Sequence, residues 1–397
     1  MKKWTKTNLG DCCEIVSGST PSTNVESFWN GNICWVTPKD LSHLNGAYIS
    51  DTPRKLTQSG LDSCGASILP SNSVLFSSRA PIGHVAINSV PMATNQGFKS
   101  FIPKDNRVYS KFLYHWLRKN RAYLEGLGNG ATFKEVSKSI VSRVEISLPP
   151  LEEQKRIAEI LDRIQLLISK RKEAIAKLDT LTQSIFIEMF GDSVANPKNW
   201  DENKTLGEVS DIVSGITKGR KLNGQSVREV PYLAVVNVQD QKLDLSVIKT
   251  IEAKEDEIER YRLQVNDLVL TEGGDPDKLG RGTIWHGELP ECIHQNHIFR
   301  VRIKLNELHP RFLMWLIGSK RGKSYFLKSA KQTTGIASIN MTQLKGFPVL
   351  IPPLQLQKEF AQRVEAVEKL KATHRASLSQ LEALFASLQH RAFRGEL

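Results

Sequence analysis

The sequence of 397 residues has few cysteines and no long apolar run. Its five cysteines, Cys12, Cys13, Cys34, Cys64 and Cys292, are scattered and odd in number, so they do not form the framework of a disulfide-rich secreted domain. No stretch approaches the roughly 18 consecutive apolar residues of a membrane span. The first residues, MKKWTKTNLGDCC, also lack the apolar segment of a signal peptide. We therefore expect a soluble, cytoplasmic protein without a membrane partner.

The motifs of several enzyme classes are missing as well. The Gly-rich stretch GGDPDKLGRG, residues 273–282, lacks the G-x-x-x-x-G-K-[ST] pattern that binds nucleotide phosphates. Its Pro-Asp is not followed by the Glu-x-Lys of a nuclease, and the single Asn-Pro of the chain does not continue as the Pro-Tyr of an amino-methyltransferase. Cys292, His294 and His297 lie along one short segment without a second ligand cluster, so we predict structural side chains and no metal site. We expect no catalytic residues.

What the sequence does have is positive charge. It contains 54 Lys and Arg against 42 Asp and Glu, and its isoelectric point is near 9.4. Residues 1–150 contain 17 basic against 10 acidic residues, and residues 193–350 contain 23 against 19. This balance indicates a polyanionic partner such as nucleic acid, which these two segments would bind.

A long repeat organises the chain. The segment ISLPPLEEQKRIAEILDRI, residues 146–164, returns as LIPPLQLQKEFAQRVEAV, residues 350–367, at an offset of 203. In both copies a β-branched run ends in Pro-Pro, which disfavours helical backbone for the residue before it, and a helix begins only afterwards. The alignment continues for about 40 residues without a gap.

Each copy predicts one long helix with a coiled-coil seam. No Gly or Pro occurs between residues 152 and 190 or between 354 and 394, so each helix can extend for about 50 Å at roughly 1.5 Å per residue. Apolar residues recur at alternating intervals of four and three, which favours two helices that pack on each other, although core helices of a larger bundle remain an alternative. The predicted seam comprises Ile157, Leu161, Ile164, Ile168, Arg171, Ile175, Leu178 and Ile185 in the first copy, and Phe360, Val364, Val367, His374, Leu378, Leu381, Phe385 and Leu388 in the second.

Polar residues interrupt the seam at the same position of both copies. Arg171 and His374 each lie near the middle of a predicted helix. If the helices are antiparallel, these two residues meet, and a polar seam residue commonly fixes the register at some cost in stability.

Weaker repeats precede the long helices. LGDCCEIVSG, residues 9–18, returns as LGEVSDIVSG, residues 206–215, and a strand, turn and strand pattern over residues 72–87 returns over residues 266–285. We therefore predict an α+β fold in which two globular domains of mixed strands and helices are separated by two long antiparallel coiled-coil helices, with a pseudo-twofold internal repeat. The predicted domain bounds are 1–150, 151–192, 193–350 and 351–397, with a linker over 191–204.

The order of these segments and the phrases ICWVTPKDL, SSRAPIGHVAI, TNQGF and LPPLEEQKRIAEILD resemble the DNA-specificity subunit of type I restriction-modification systems. The resemblance covers essentially the whole chain. The sequence departs from the family pattern in the second domain, which has Ala234-Val235-Val236-Asn237 where the first has Thr37-Pro38-Lys39-Asp40.

The resemblance implies a non-catalytic subunit that directs its partners. Residues 1–150 and 193–350 would be target-recognition domains, each reading one half of a bipartite, asymmetric double-stranded DNA sequence. The long helices would set the spacing of the half-sites and dock two methyltransferase subunits, through which restriction subunits join. No cofactor is expected in this chain, whereas S-adenosylmethionine is expected on the methyltransferase subunits, and ATP and Mg on the restriction subunits.

Two other functions remain open at this point. A self-contained DNA modification enzyme is opposed by the missing motifs. A coiled-coil scaffold that binds nucleic acid without sequence specificity would show no preference among duplexes.

The candidate DNA contacts are basic and amide side chains in turns beside strand-like segments. Arg and Lys suit guanine and the amides suit adenine, whereas basic loops more often contact phosphates or only solvent. In the first domain the candidates are Lys39, Arg79, Asn95 and Gln96; in the second they are Lys218, Arg220, Lys221, Lys278, Arg281 and Asn296.

Overall fold

The structure of the protein is a computed structural model that describes residues 4–44, 46–79, 81–130, 134–220, 226–274, 279–333 and 336–397. The chain divides into two compact units: Met1–Glu173 with Arg375–Leu397, and Ala174–His374. Within the described ranges, none of the helices is long and apolar enough to cross a membrane.

The first unit is built on three sets of strands. These are β1 (Thr5–Asn8), β2 (Cys13–Ser17), β3 (Trp29–Val36), β4 (Tyr48–Ile49), β5 (Lys55–Leu56), β6 (Val74–Phe76), β7 (Val85–Asn88), β8 (Ala93–Thr94), β9 (Lys99–Pro103) and β10 (Glu145–Leu148). They form a five-stranded sheet in the order β2-β9-β6-β7-β4, a three-stranded sheet β5-β3-β8, and the pair β1-β10. The predicted strand, turn and strand over residues 72–87 is the antiparallel pair β6-β7.

Short helices cover the sheets of the first unit. They are α1 (Leu9–Cys12), α2 (Pro38–Ser42), α3 (Gln58–Asp62), α4 (Ser110–Lys119), α5 (Arg121–Gly126) and α6 (Lys138–Ser142). Helix α4 is rich in aromatic residues, and its Phe112 and Leu117 are fully buried in the main core of the unit. The long helix α7 (Leu151–Phe190) begins directly after Pro149-Pro150, as the proline pair predicts.

The second unit repeats these sheets in the same order. Its strands are β11 (Asp201–Thr205), β12 (Ser210–Ser214), β13 (Arg228–Leu233), β14 (Val238–Gln239), β15 (Lys242–Leu243), β16 (Lys249–Ala253), β17 (Leu268–Thr271), β18 (Gly273–Gly274), β19 (Gly282–Ile284), β20 (Ile293–His294), β21 (Ile298–Ile303), β22 (Lys331–Thr333), β23 (Ile336–Ser338) and β24 (Pro348–Ile351). The sheet β12-β21-β17-β19 corresponds to β2-β9-β6-β7, β16-β13-β20 corresponds to β5-β3-β8, and β11-β24 corresponds to β1-β10. Among the described residues, the pair β14-β15 has no counterpart in the named strands of the first unit, whereas the place of β18-β23-β22 is taken there by two isolated antiparallel bridges, Arg79 with Glu135 and Asn129 with Glu135. The internal repeat predicted from the sequence is therefore confirmed in the fold.

The helices of the second unit follow the same plan. They are α8 (Leu206–Val209), α9 (Glu255–Tyr261), α10 (Pro310–Gly318), α11 (Lys320–Ser329) and α12 (Met341–Lys345), followed by the second long helix α13 (Leu354–Ala392). Helix α10 corresponds to α4, and its Phe312 and Leu313 are fully buried.

Each unit contains the start of one long helix and the end of the other. In the first unit, Ile157 and Leu161 of α7 belong to the same apolar core against which Phe385 and Leu388 of α13 pack. Because the beginning of α7 lies with the end of α13, the two helices are antiparallel here. Lys172 of α7 also pairs with Glu382 of α13, at 2.9 Å.

The second unit shows the reverse arrangement. The end of α7 contributes Phe186 and Phe190 to a core that includes Phe360 and Val364 near the start of α13. Lys371, which is 7% exposed, pairs with Asp179 of α7 at 2.6 Å. Every predicted seam position is buried or half-buried, while the pairing of Arg171 with His374 stays a prediction.

A buried glutamine explains the repeated Pro-Pro-Leu phrase. Gln154 in the first turn of α7 is 1% exposed and forms three hydrogen bonds. Its Oε1 accepts from the amide N–H of Tyr109 at 2.8 Å, and its Nε2 donates to the carbonyl oxygens of Arg107 and Pro149, both at 2.9 Å. It therefore ties the start of α7 to the segment that leads into α4.

Gln357, the same residue of the second copy, forms the same set of hydrogen bonds. Its Oε1 accepts from the amide N–H of His309 at 2.8 Å, and its Nε2 donates to the carbonyl oxygens of Glu307 and Pro352, at 2.9 and 2.7 Å. The repeated glutamine thus fixes how each globular segment continues into its long helix.

The segment predicted as a linker, 191–204, is folded onto the second unit. Trp200 packs against the core of that unit, and its indole N–H donates to the carbonyl oxygen of Phe190 at 2.9 Å. Strand β11 begins directly after it, at Asp201. The Gly, Pro, Asn and Asp content of residues 191–204 therefore reflects tight turns.

Candidate nucleic-acid interface

In each unit, a glycine directly after one strand allows the following loop to pass very close to the backbone of a turn. A side chain at Gly18, after β2, would place its Cβ 2.0 Å from the carbonyl oxygen of Asn95, and one at Gly215, after β12, would place it 1.9 Å from that of His294. Real Cβ atoms do not approach oxygen so closely, so only glycine fits here. The repeated Ile-Val-Ser-Gly phrase therefore marks the place where the loop after the strand crosses the turn between β8 and β9, or between β20 and β21.

The structure brings the first-unit candidates together around this turn. A Cβ at Gly97 would lie 3.1 Å from Asn95 Oδ1, 3.3 Å from Pro38 Cγ and 3.6 Å from Arg79 Cγ, so these side chains surround Gly97. Lys39, next to Pro38, and Gln96, next to Asn95, are exposed on the same cluster. Four candidates from three separate segments thus form one surface.

The individual roles of these side chains differ. Asn95 Oδ1 accepts from the amide N–H of Gly97 at 2.9 Å, which stabilises the turn and occupies its acceptor. Arg79 lies 3.9 Å from Glu135, a carboxylate that already pairs with buried Lys99 at 3.0 Å. Lys39 and Gln96 are therefore the more accessible polar groups of this surface.

The Thr-Pro-Lys-Asp phrase has a structural explanation. The Asp40 carboxylate accepts hydrogen bonds from the Thr37 amide at 2.7 Å and from the Thr37 hydroxyl at 2.8 Å, which caps the start of α2. The cap holds Lys39 in a fixed turn beside Gly97.

The second unit keeps this cap with a different residue. Asn237 is 3% exposed; its Oδ1 accepts from the Ala234 amide at 2.8 Å and its Nδ2 donates to the carbonyl oxygens of Asp244 and Val247. The position of Lys39 is taken by Val236, which is 68% exposed. The departure from the family phrase therefore preserves the turn and changes the side chain that it presents.

The second-unit candidates are more dispersed. Arg220 forms a two-point ion pair with Glu257, with both N–O distances at 2.9 Å, and also donates to the carbonyl oxygen of Glu252. Lys218 is exposed and its Nζ lies 4.8 Å from the centre of the Tyr232 ring.

Two further second-unit candidates are held by neighbours, and two cannot be placed. The Nη1 of Arg281 donates to Oε1 of Gln239 at a long distance of 3.4 Å. The backbone N–H of Asn296 donates to Ile216, which places this residue on the Gly215 crossing. Lys221 and Lys278 lie outside the described residues. DNA contact by each candidate stays a prediction.

The Cys292, His294 and His297 group has ordinary structural surroundings. His294 is fully buried, and its ring Nδ1–H donates to the carbonyl oxygen of Ile298 at 2.9 Å; burial lowers the pKa of this ring to about 4. Burial also raises the pKa of the Cys292 thiol to about 12. His297 is exposed and contacts Glu272 at 2.6 Å. Among the residues that the structure describes, no group of three or more His, Cys, Asp or Glu is arranged to hold a metal ion.

Sequence reasoning missed one cationic group of the first unit. Arg54 lies over the rings of Trp29 and Trp35, with its Cζ 3.9 Å and 4.9 Å from their centres. No repeat or motif marks this arginine, because it meets the two tryptophans only through the β3-β5 pairing.

Comparisons with known proteins agree with this architecture. The family model for the type I restriction modification DNA specificity domain matches residues 1–178 and 197–383. The specificity subunit of type I restriction enzyme MjaIX from Methanocaldococcus jannaschii is 29% identical over 420 residues, covering 100% of this chain and 94% of the relative. The StySPI specificity subunit from Salmonella potsdam is 24% identical over 81% of this chain and 73% of the relative.

Solved structures share the fold. The S subunit of a type I restriction-modification system from M. genitalium has a TM-score of 0.57 at 15% identity, covering 98% of this chain and 96% of that one. A chain from a study of complex assembly and conformational transition in the type I R-M system has a TM-score of 0.59 at 17% identity, covering 100% and 99%. Because the family model matches both halves of the sequence and each half has the same sheets, the chain belongs to the type I restriction-modification DNA specificity subunits.

Proposed function

We propose that this specificity subunit reads a bipartite, asymmetric double-stranded DNA target, one half-site with each unit. The observation that carries the proposal is that the two units repeat the same glycine crossing but present different side chains on it. Lys39 and Gln96 of the first unit correspond to Val236 and Asn296 of the second. A lysine can donate to guanine, whereas an exposed valine can contact only the methyl group of thymine, so the two half-sites should differ.

The remaining candidates serve positioning in this proposal. Lys218 follows the Gly215 crossing by three residues, and its charge suits a phosphate contact, as does that of Arg281 beside Gln239. Arg220 is already paired with Glu257, so it should contribute less than Lys218.

We further propose that the long helices dock two methyltransferase subunits, which in turn bind the restriction subunits. Four leucines on the solvent side of these helices support this. Leu167 and Leu370 are 50% and 46% exposed and occupy the same position of the two copies; Leu181 and Leu384 do so too, at 44% and 46%. Exposed apolar side chains repeated at equivalent positions suit two copies of one partner.

The chemistry would then lie on the partners. We propose that this chain works in the cytoplasm and has no catalytic activity, that S-adenosylmethionine binds the methyltransferase subunits, and that ATP and Mg bind the restriction subunits. The purified chain should transfer no methyl group from labelled S-adenosylmethionine to DNA, and transfer by the chain alone would contradict this proposal.

Substitutions in one unit test the division of the target. In the assembled complex, Lys39→Met with Gln96→Ala should change one block of the methylated sequence, and Lys218→Met should weaken binding through the other block only. Maps of methylated bases in treated genomic DNA measure both outcomes. The same change in both blocks would exclude a separate half-site for each unit.

A second experiment tests the docking proposal. Leu167→Asp should leave one bound methyltransferase subunit and the double variant Leu167→Asp with Leu370→Asp should leave none, as measured by the mass of the complex. Val247→Asp is the control, because Val247 is 64% exposed but lies outside the long helices. Two subunits on the double variant would contradict helix docking.

A further inference from the structure

A polar pocket of about 470 Å³ lies at the edge of the three-stranded sheet of the first unit. It is lined by Thr23, Glu26, Trp29, Asn30, Arg54 and Lys55. None of these six residues belongs to the DNA contacts predicted from the sequence.

Arg54 is the central cation of this pocket. The rings of Trp29 and Trp35 meet edge to face, with centres 5.1 Å apart and planes at 78°, and the guanidinium lies over both. Among the residues that the structure describes, Arg54 forms no ion pair, whereas its neighbour Lys55 pairs with Asp51 at 2.9 Å. Arg54 is exposed, so its N–H donors are available to a ligand.

Stacking prepares this arginine for two-point recognition. A guanidinium held against aromatic rings keeps its fixed fork of N–H donors, which can bind in pairs. Because the rings already restrict the side chain, less conformational entropy is lost when a ligand binds.

The stack is joined to the predicted DNA-binding surface. The indole N–H groups of Trp29 and Trp35 donate to the carbonyl oxygens of Ser22 and Ser19, at 3.2 and 3.0 Å. Both acceptors belong to the loop that follows Gly18, and Thr20 of the same loop is hydrogen-bonded to Gln96. The pocket and the Gln96 turn are therefore parts of one surface of the first unit.

The second unit has an equivalent arrangement with a different cation. Trp35 pairs in parallel with Ala93, and Tyr232 pairs in the same way with Ile293, so the two aromatic residues occupy the same position of their sheets. The cation over Tyr232 is Lys218, which comes from the loop after β12 and not from the segment that supplies Arg54. The pairing of a cation with this ring is thus retained although its source in the chain differs.

We propose that Arg54, stacked on Trp29 and Trp35 beside the Gln96 turn, is a specificity-determining residue that donates two hydrogen bonds to a guanine of the first half-site. This inference rests on the proposed function. Two-point donation to O6 and N7 is the contact by which arginine selects guanine. Glu26 in the same pocket favours a base over a phosphate, since a carboxylate repels phosphate but can accept from the amino group of cytosine.

The experiment uses the complex of the full chain with its methyltransferase subunits. The methylated sequence of the wild type is determined first, and dissociation constants are then measured for that duplex and for duplexes in which each G·C pair of the first block is replaced in turn. The variants are Arg54→Lys, which keeps the charge but lacks the planar fork of donors, and Arg54→Gln. The control is Arg143→Gln, which removes the same charge from an exposed arginine outside the pocket.

Arg54→Gln should weaken binding of the wild-type sequence roughly 10- to 100-fold and remove discrimination at one G·C pair of the first block, and Arg54→Lys, which loses the paired donors, should weaken both to a smaller extent. Discrimination in the second block should not change, and Arg143→Gln should behave as the wild type. Unchanged discrimination at every pair in both Arg54 variants would overturn the inference. Equal weakening on all duplexes with a smaller salt dependence would overturn it too, because that result indicates a phosphate contact. A wild-type complex without any sequence preference would instead refute the proposed function.

Discussion

Replacing Gln154 by alanine should loosen the joint between the first globular segment and α7. The substitution leaves the Tyr109 amide and the carbonyls of Arg107 and Pro149 without their partner in a site that is 1% exposed. A buried hydrogen bond contributes about 1 kcal/mol net, and three of them, with the space left by the side chain, give an expected loss of about 3 kcal/mol.

The measurement should be local, because a chain of two units has no single free energy of unfolding. Hydrogen exchange of the Tyr109 amide suits this purpose, since that N–H donates directly to Gln154 Oε1. A loss of about 3 kcal/mol corresponds to roughly 150-fold faster exchange where local opening controls it. Gln357→Ala is the matched control: it should accelerate exchange of the His309 amide and leave that of Tyr109 unchanged.

Gln154→Glu sharpens the test. A carboxylate still accepts from the Tyr109 amide. Its second oxygen, however, faces the carbonyl oxygens of Arg107 and Pro149, to which the wild-type Nε2 donates at 2.9 Å. The buried carboxyl should therefore have a raised pKa in the folded state, and the variant should regain stability as the pH falls and lose it as the pH rises. Unchanged Tyr109 exchange in Gln154→Ala would refute the role of the repeated glutamine.

Two further predictions concern the glycine crossing and the buried histidine. Gly18→Ala should abolish DNA binding through the first unit and destabilise that unit by several kcal/mol, because the added Cβ meets backbone oxygens at 2.0 and 2.4 Å. Gly65→Ala is the control, since no atom lies within 4 Å of its added Cβ, and it should be tolerated in the same thermal and binding assays. Burial gives His294 a pKa of about 4 in the folded chain, against an ordinary value of 6.5. Its contribution to the stability of the second unit is therefore fully present above pH 6.5 and is lost as the pH falls toward 4. The expected loss is roughly 3 kcal/mol. Pulse proteolysis in urea at pH 7 and pH 4.5, with second-unit fragments identified by mass, measures this loss, and equal stability at both values would contradict it.

The long helices and their surroundings could be predicted from the sequence because local rules determine them. The Pro-Pro pairs set the starts of α7 and α13, the absence of Gly and Pro allows about 40 residues of helix, and the four-three spacing marks the buried face. The repeated Ile-Val-Ser-Gly phrase was also visible, although only the structure shows that Gly18 and Gly215 are required by a backbone crossing.

The side chains of the candidate site could be predicted only in part. The basic loop around Arg220 predicts a free cation, but Arg220 is paired with Glu257, 37 residues later in the chain. Arg54 cannot be recognised from the sequence, because its tryptophan partners belong to a neighbouring strand. Contacts of this kind depend on strand pairing across the sheet, which neither composition nor periodicity encodes.

The most direct test of the central claim is a genome-wide map of methylated bases produced by the complex of this chain with its methyltransferase subunits. We expect one non-palindromic motif of two defined blocks separated by a gap of fixed length, roughly one turn of DNA or slightly more. A palindromic motif, a single uninterrupted block or methylation without sequence preference would contradict the claim that the two units read different half-sites.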